Sequence, residues 1–259
     1  MSLLHRVGSK RAIADKIIPY FPPHDLYIEM FFGAGGMFFK KPKAKYNICN
    51  DLDSDVFNLF MILQDEKKKK QLYDYMKLVP VHQDLLKYWK VHKETDAIKK
   101  AGRFLFLSNY TFLANRETLS FYIGNLKRIL LEKLECWNTL SNVNFMNNDF
   151  KNVIKSISFK DKNSAKERTF IYADPPYLES ENNYENCKWK EQDTSDLFNI
   201  LVNSGIRFAM SEFDNPKVIA MAENYNLNIN IICERRNLKN RRTEILITNY
   251  EKEINNKLF

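Results

Sequence analysis

The chain has 259 residues, of which 44% are hydrophobic, and its formal net charge is +8. It lacks an apolar run near the ~20 residues of a membrane helix, a secretory signal, and any zinc or disulfide pattern among its four scattered cysteines. These features argue against a membrane or secreted protein and against a zinc site, and they predict a soluble cytoplasmic α/β protein whose charge favours a polyanionic partner.

The first chemical signal is a glycine-rich turn. A buried strand is predicted over residues 26–32, and Gly33-Ala34-Gly35-Gly36 follows it directly. A strand that runs into such a turn lets the backbone approach a nucleotide-like ligand closely. The turn lacks the full Gly-x-Gly-x-x-Gly pattern, and Pro42 leaves little room for a long helix behind it, so an ordinary tight loop is an alternative.

The second strand is predicted over residues 46–50, and it ends at Asp51. An acid at this position could accept hydrogen bonds from the ribose of a bound cofactor. It could equally cap a helix that is predicted to begin near Ser54. The spacing leaves both interpretations open.

Residues 58–140 are predicted to form a helical insertion. Strand signals nearly vanish there, and helical periodicity predicts helices near residues 98–114 and 121–140. We interpret this region as a DNA-recognition subdomain with candidate contacts at Asn109, Tyr110 and Arg116, although ordinary helix packing accounts for most of its apolar residues. Residues 1–57 and 141–259 are then the catalytic domain.

The α/β pattern resumes after the insertion and predicts a single three-layer architecture. A strand over 143–146 runs into Asp149 at a helix start, and a charged loop covers 160–168. The further predicted elements are a strand ending at Asp174, a flap over 178–191, helices over 193–203 and 215–224, and strands over 206–210, 228–233 and 243–249. A basic cluster between the last two strands is a candidate phosphate contact, and from it we select Arg236, Lys239, Arg241 and Arg242.

The strand that ends at Asp174 continues into Pro175-Pro176-Tyr177. Proline has no amide for a sheet, and it forces the preceding residue out of the helical conformation, so a stiff corner is expected at the carboxyl edge of the sheet. In parallel strands Asp51, Asp149 and Asp174 gather at that edge. Since no Walker loop or Ser-His-Asp arrangement is recognised, we expect these acids to act as hydrogen-bond acceptors. Methylation of an exocyclic amine needs such acceptors.

Six stretches in this order resemble the motifs of the Dam-type (α-group, DPPY) adenine-N6 DNA methyltransferases: residues 8–10, 29–36, 50–51, 148–150, 174–177 and 240–250. The resemblance implies a Rossmann-like methyltransferase fold that uses S-adenosyl-L-methionine on a flipped-out adenine in double-stranded DNA. It implies cofactor-binding roles for Lys10, Glu29, Gly33, Gly35, Asp51, Asp149 and Asp174, and catalytic roles for Asp174, Pro175, Pro176 and Tyr177.

Three alternatives remain open beside site-specific DNA adenine methylation. These are methylation of cytosine N4 in DNA, methylation of adenine in RNA, and a DNA-binding relative without activity. Cytosine enzymes more often carry serine where Asp174 stands, which favours adenine. We further expect a monomer from a bacterium or phage, with a cognate restriction endonuclease as a candidate partner.

Overall fold

The computed structural model describes residues 3–4, 8–111, 118–120, 125–137, 140, 142–159, 162–178, 189–236 and 241–252. Within them, seven strands form one sheet in the order β3-β2-β1-β4-β5-β7-β6. The strands are β1 Leu26–Glu29, β2 Tyr46–Asn50, β3 Val143–Met146, β4 Thr169–Ala173, β5 Arg207–Phe213, β6 Asn228–Arg236 and β7 Arg241–Thr248. The first five run parallel, and β7 is antiparallel to both of its neighbours.

The described helices fall into two groups in the chain. The first group is α1 Ala14–Ile17, α2 Ser54–Gln64, α3 Glu66–Leu78, α4 Gln83–Val91, α5 Ala97–Asn109 and α6 Leu126–Glu135. The second group is α7 Phe150–Val153, α8 Lys162–Glu167, α9 Glu191–Asn203 and α10 Pro216–Asn224. Side chains cap several of them, as Asp53 does for α2 and Asn215 does for α10, by accepting hydrogen bonds from orphan backbone amides.

Alternation along the strands produces the three layers. Tyr172 belongs to the core that contains α1 to α6, whereas its neighbour Ile171 belongs to the core that contains α7, α9 and α10. Successive side chains of a strand point to opposite faces, so a central strand that is apolar throughout needs a cover on both sides. The predicted three-layer α/β architecture is confirmed.

The helical region between β2 and β3 shares its core with the sheet. Phe60 of α2 stacks on Phe145 of β3, with ring centroids 5.3 Å apart, and it also meets Phe32 edge-on at 4.8 Å. The predicted helices are present, but α5 ends at Asn109 and α6 covers only Leu126–Glu135. The division at residues 58 and 140 stays a prediction.

Two local predictions differ from the structure. The strand predicted over 26–32 ends at Glu29. The Met30 amide still donates a hydrogen bond to Tyr172 of β4, but the Phe32 amide donates to the carbonyl of Asn50 instead. The predicted charged loop over 160–168 contains the short helix α8. Most of the predicted flap lies outside the described residues, although Trp189 at its end is buried.

No helix among the described residues is long and apolar enough to cross a membrane. The parallel strands place the carboxyl ends of β1, β2, β3 and β4 along one edge, which we call the carboxyl edge. The candidate site lies there.

Phe60→Ala tests the shared core. Phe60 is 1% exposed, so truncation should lower the free energy of unfolding by about 3–5 kcal/mol through lost burial and a residual cavity. Chemical denaturation measures this loss. The matched control is Met61→Ala on the same helix, where the side chain is 41% exposed and the expected change is within about 0.5 kcal/mol. Equal losses in the two variants would contradict a core shared by sheet and helices.

Candidate active site at the carboxyl edge of the sheet

The proline corner has the geometry that its sequence predicts. β4 ends at Ala173, and Asp174 follows it with a side chain that is 19% exposed, between buried neighbours. The Asp174 carboxylate forms an ion pair with the Lys10 ammonium at 2.8 Å. This edge of the sheet therefore presents one accessible carboxylate that a cation holds in place.

Lys10 reaches Asp174 because the N-terminal segment packs on the glycine-rich turn. It begins the short 3₁₀ helix Lys10–Ala12, which Ser9 caps. A methyl group added at Gly36 would lie only 2.7 Å from Ser9 Oγ and 3.0 Å from the Arg11 amide. The absence of a side chain at Gly36 thus allows the backbone around Lys10 to lie against the turn.

Tyr177 is held on three sides. Its hydroxyl donates a hydrogen bond to the Glu244 carboxylate, its ring meets Phe213 edge-on at 4.6 Å, and the Lys10 ammonium lies 4.4 Å from the ring centroid. Burial raises the pKa of Tyr177, so the hydroxyl remains a proton donor. The ring is only 7% exposed, and Lys10 covers one of its faces. A base can stack on that face only after the ammonium moves.

Asp51 is bonded to the glycine turn. One carboxylate oxygen accepts from the Gly33 amide at 2.6 Å, and the other accepts from the Asp53 amide at 2.8 Å. The cap of α2 is Asp53, so the alternative in which Asp51 caps this helix is wrong. Gly33 and Gly35 have φ of 53° and 65°, a left-handed conformation that favours glycine. The space beside Gly33 is open to 4 Å.

Asn50 joins three strand ends. Its amide donates to the carbonyls of Met30 and Asn148, at 3.0 Å each, and its oxygen accepts from the Asn148 amide at 2.9 Å. Asp149 then caps α7 through the Lys151 amide. Next to Asp149, the ring of Phe150 forms an aromatic cluster with Phe31 and Trp189. This network sets the spacing between Asp51 and Asp149.

Glu29 lies at the end of β1 but is 2% exposed, and its carboxyl accepts a hydrogen bond from the Tyr27 hydroxyl at 2.7 Å. Burial raises the pKa of Glu29 to about 8, so the group is largely protonated at neutral pH. Its role in cofactor binding stays a prediction.

Comparison with known families decides the class of protein. The family model of the D12 class N6 adenine-specific DNA methyltransferase matches residues 7–242. The chain belongs to this family. The predicted family is thereby confirmed, and membership implies a methyl donor.

Two curated relatives are similar to this methyltransferase over most of its length. Modification methylase StsI from Streptococcus sanguinis is 26% identical over 292 aligned positions, which cover 96% of this chain and 43% of the relative. Type II methyltransferase M1.LlaDCHI from Lactococcus lactis subsp. cremoris is 22% identical. The alignment covers 94% of this chain and 93% of the relative. The chain thus spans less than half the length of StsI.

Two solved structures show a distant likeness. A dimethyladenosine transferase from Plasmodium falciparum has a TM-score of 0.40 and 13% identity, over 92% of this chain and 60% of that one. Trm5b from Pyrococcus abyssi has a TM-score of 0.33 and 11% identity, over 91% of this chain and 46% of that one. The Rossmann-like class of the methyltransferase is evident from its own sheet, which is parallel except for β7.

The predicted DNA contacts have different outcomes. Tyr110 is 1% exposed and packs edge-on against Phe106, so its assignment as a DNA contact is wrong: burial removes the ring from the surface. Asn109 ends α5 and donates to the Leu105 carbonyl. The Arg242 guanidinium lies over the Phe213 ring at 5.4 Å, close to Tyr177. Arg116 and Lys239 lie outside the described residues, as do the side chains of Arg236 and Arg241.

Sequence reasoning gave no role to two buried acids, Glu212 on β5 and Glu244 on β7, although Glu244 lies in the C-terminal stretch that resembles a family motif. Glu212 accepts a hydrogen bond from the Leu178 amide at 3.2 Å, and burial raises the pKa of its carboxyl to about 8. A signal was present, since each acid interrupts an apolar strand and an acid in such a strand needs a buried partner.

A cleft of about 360 Å³ lies at the opposite edge of the sheet. Its lining includes His24, Lys41 and Tyr250, which adjoin the amino ends of β1 and β2 and the end of β7. It lies at the other end of the strands from Asp174, so it is not part of the candidate site at the carboxyl edge.

The buried Glu29 carboxyl predicts a pH effect on stability. A pKa raised in the folded state means that the folded chain binds the extra proton between about pH 4.5 and 8, so this carboxyl increasingly destabilises the fold as pH rises through that window. Glu29→Gln removes the titration. The variant should gain stability relative to the parent by on the order of 1 kcal/mol per pH unit across the window.

Chemical denaturation of both proteins at pH 5, 6, 7 and 8 measures the trend. The control is Glu132→Gln, because that carboxylate on α6 is 58% exposed. We expect the difference in unfolding free energy between Glu132→Gln and the parent to be the same at all four pH values. A level difference for Glu29→Gln as well would overturn the assignment of a protonated carboxyl at this position.

Proposed function

We propose that this chain transfers a methyl group from S-adenosyl-L-methionine to N6 of an adenine that is flipped out of double-stranded DNA at a specific sequence. The observation that carries the proposal is the cluster of Lys10, Asp174 and Tyr177 at the carboxyl edge, in a chain of the adenine-specific family. The glycine turn and Asp51 lie at the same edge.

The residues at this edge fit the proposed methyl donor. The space beside Gly33 is open, so a ligand can approach the turn closely there, and the Asp51 carboxylate lies at the same turn through its bond to the Gly33 amide. Asp149 and the aromatic ring beside it offer an acceptor and a stacking surface. When bound, the sulfonium supplies an electrophilic methyl group.

Asp174 and the Pro175 carbonyl would accept the two amino hydrogens of the target base. The lone pair of an adenine amine is delocalised into the ring, so the amine attacks poorly. Acceptors placed against both N–H bonds draw it towards a tetrahedral geometry and stabilise the positive charge that develops on nitrogen. The Lys10 ion pair holds Asp174 in one orientation before the base arrives, which reduces the reorganisation at the moment of reaction.

Tyr177 would stack on the flipped base. Removing a base from the duplex costs a few kcal/mol, and aromatic stacking returns roughly 1–3 kcal/mol of that cost. In the structure the Lys10 ammonium lies over the ring. Base capture on that face therefore includes a shift of the lysine, with its charge kept near Asp174 and Glu244.

Two carboxylates of the candidate site lie close to the Lys10 ammonium. One ammonium, that of Lys10, lies at 2.8 Å from the Asp174 carboxylate and at 3.6 Å from that of Glu244. The nearby Glu29 and Glu212 have pKa values raised to about 8 by burial and are largely protonated at pH 7. Carboxylates beside the proposed donor site suit a sulfonium donor and an amine that becomes positive.

DNA would lie across the helical insertion, residues 58–140, and the β6–β7 hairpin. The hairpin supports phosphate contact because Arg236 and Arg241 pair across its last rung, and Arg242 follows them towards the active site. Asn109 ends α5, and Arg116 belongs to the segment between α5 and α6, in which Thr111 bridges Leu119. Lys239 completes the proposed phosphate contacts.

The biological setting is a further part of the proposal. We infer that the enzyme acts as a monomer in the cytoplasm of a bacterial or phage-infected cell. The names of the two curated relatives, a modification methylase and a Type II methyltransferase, support pairing with a cognate restriction endonuclease.

Incorporation of labelled methyl groups from S-adenosyl-L-methionine into DNA tests the function. We expect the label in N6-methyladenine on digestion of the product. Label in N4-methylcytosine, or in RNA alone, would replace the proposal with one of the alternative amine substrates. No incorporation into any duplex despite binding of the donor would overturn it.

Asp174→Ala tests the mechanism. Loss of one acceptor of the amine should lower the methyl-transfer rate on the order of 100-fold or more, while donor binding persists at least in part. Transfer rate and donor affinity are measured separately. The control is Asp15→Asn, which breaks a surface ion pair with Lys40 and should leave the rate unchanged. A normal rate in Asp174→Ala would show that the amine is held by other groups.

A further inference from the structure

Glu244 lies in an unusual place for a carboxylate. It is fully buried in β7, the antiparallel strand between β5 and β6, where it pairs with Phe213 across the sheet. Moving an unpaired carboxylate into a protein interior costs several kcal/mol, so such a group persists where buried partners compensate it. The partners of Glu244 belong to the active site.

One oxygen of Glu244 joins two of these side chains. Oε1 accepts the hydrogen bond from the Tyr177 hydroxyl, and it lies 3.6 Å from the Lys10 ammonium. The ammonium in turn contacts Asp174 at 2.8 Å and lies over the Tyr177 ring. Glu244 is therefore the point at which the groups proposed to hold the amine and to stack on the base are connected.

These contacts determine orientation. A tyrosine ring has two main degrees of freedom, and a hydrogen bond at its hydroxyl together with the Phe213 edge at 4.6 Å restricts both. The ammonium of Lys10 forms ion pairs with two carboxylates, those of Asp174 and Glu244. When a base displaces the ammonium from the ring, Glu244 offers a second anchor for its charge.

Glu212 has a different task. It accepts hydrogen bonds from the amides of Leu178 and Phe213, so it holds the backbone beyond the proline corner and not a side chain of the site. Its carboxyl and that of Glu244 lie on neighbouring strands, and the Tyr177 hydroxyl donates its hydrogen bond to Glu244.

We propose that Glu244 is a positioning residue for methyl transfer, which orients Tyr177 through its hydroxyl and keeps the Lys10 ammonium at the proline corner. The inference rests on the proposed function. It assigns Glu244 no contact with the substrate. A merely structural glutamate would affect the stability of the fold, whereas a positioning glutamate affects the rate of methyl transfer on bound DNA.

The substitutions Glu244→Gln and Glu244→Leu separate these two roles. Glutamine keeps an oxygen that can accept from Tyr177, whereas leucine fills the space without an acceptor. We expect single-turnover transfer to fall about 10- to 100-fold in Glu244→Leu and to be largely restored in Glu244→Gln. Affinity for the methyl donor and the melting temperature are measured on the same samples.

Tyr177→Phe breaks the same hydrogen bond from the other end. Tyr177→Phe should slow methyl transfer, although the aromatic ring is kept. In the double variant Tyr177→Phe/Glu244→Leu no hydroxyl is left without an acceptor, so this variant should be no slower than Glu244→Leu alone. This variant tests the proposal even if Glu244→Leu does not fold. Thr248→Val is the matched control, since it removes a buried hydrogen bond from the same strand far from the site. It should lower only the melting temperature.

The outcomes distinguish this inference from the proposed function. Methylation by the parent enzyme, with a normal rate in folded Glu244→Leu or in Tyr177→Phe, overturns the positioning role and leaves the function standing. A rate loss in Glu244→Leu that is equal in Glu244→Gln would overturn the orientation of Tyr177 through its hydroxyl, since glutamine keeps that acceptor, and would restrict Glu244 to the charge contact with Lys10. No methylation of DNA by the parent protein would overturn the function itself.

Discussion

The structure of this protein depends on an ion pair between two segments of its candidate active site. Lys10, from the N-terminal segment, is 4% exposed and lies against Asp174, which follows the central strand β4. Removing charges from water is expensive, and the loss of one partner from such a pair leaves an uncompensated charge. The pair therefore couples the position of the N-terminal segment to that of the proline corner.

The other features of the site support this pair. Gly36 allows the segment before Lys10 to approach the turn, and Asp51 holds the turn by its Gly33 amide. The antiparallel strand β7 brings Glu244 beneath Lys10 and Tyr177. The N-terminal segment thus connects the glycine turn, the proline corner and β7, through packing at Gly36 and the ion pairs of Lys10.

Patterns that act over a few residues were predicted well. The buried strands, the helical region between β2 and β3 and the stop at Asp174 follow from periodicity and from proline stereochemistry, and the structure has all three. Errors arose where a neighbour in space decides. The strand after residue 26 ends early because Phe32 bonds to Asn50, and Tyr110 is a core residue because α5 packs its last turn inward.

The sequence by itself determined the family, because its motifs are local. The proline corner after a buried strand and the glycine turn upstream impose backbone conformations that need no tertiary contact. Only the tertiary structure decided the charges and contacts of the site. Lys10, Asp174 and Glu244 are separated by long stretches of chain. Strand pairing and the packing of the N-terminal segment bring both carboxylates within 4 Å of the Lys10 ammonium. Burial then raises the pKa of Glu29 and Glu212, an effect of surroundings that no linear pattern contains.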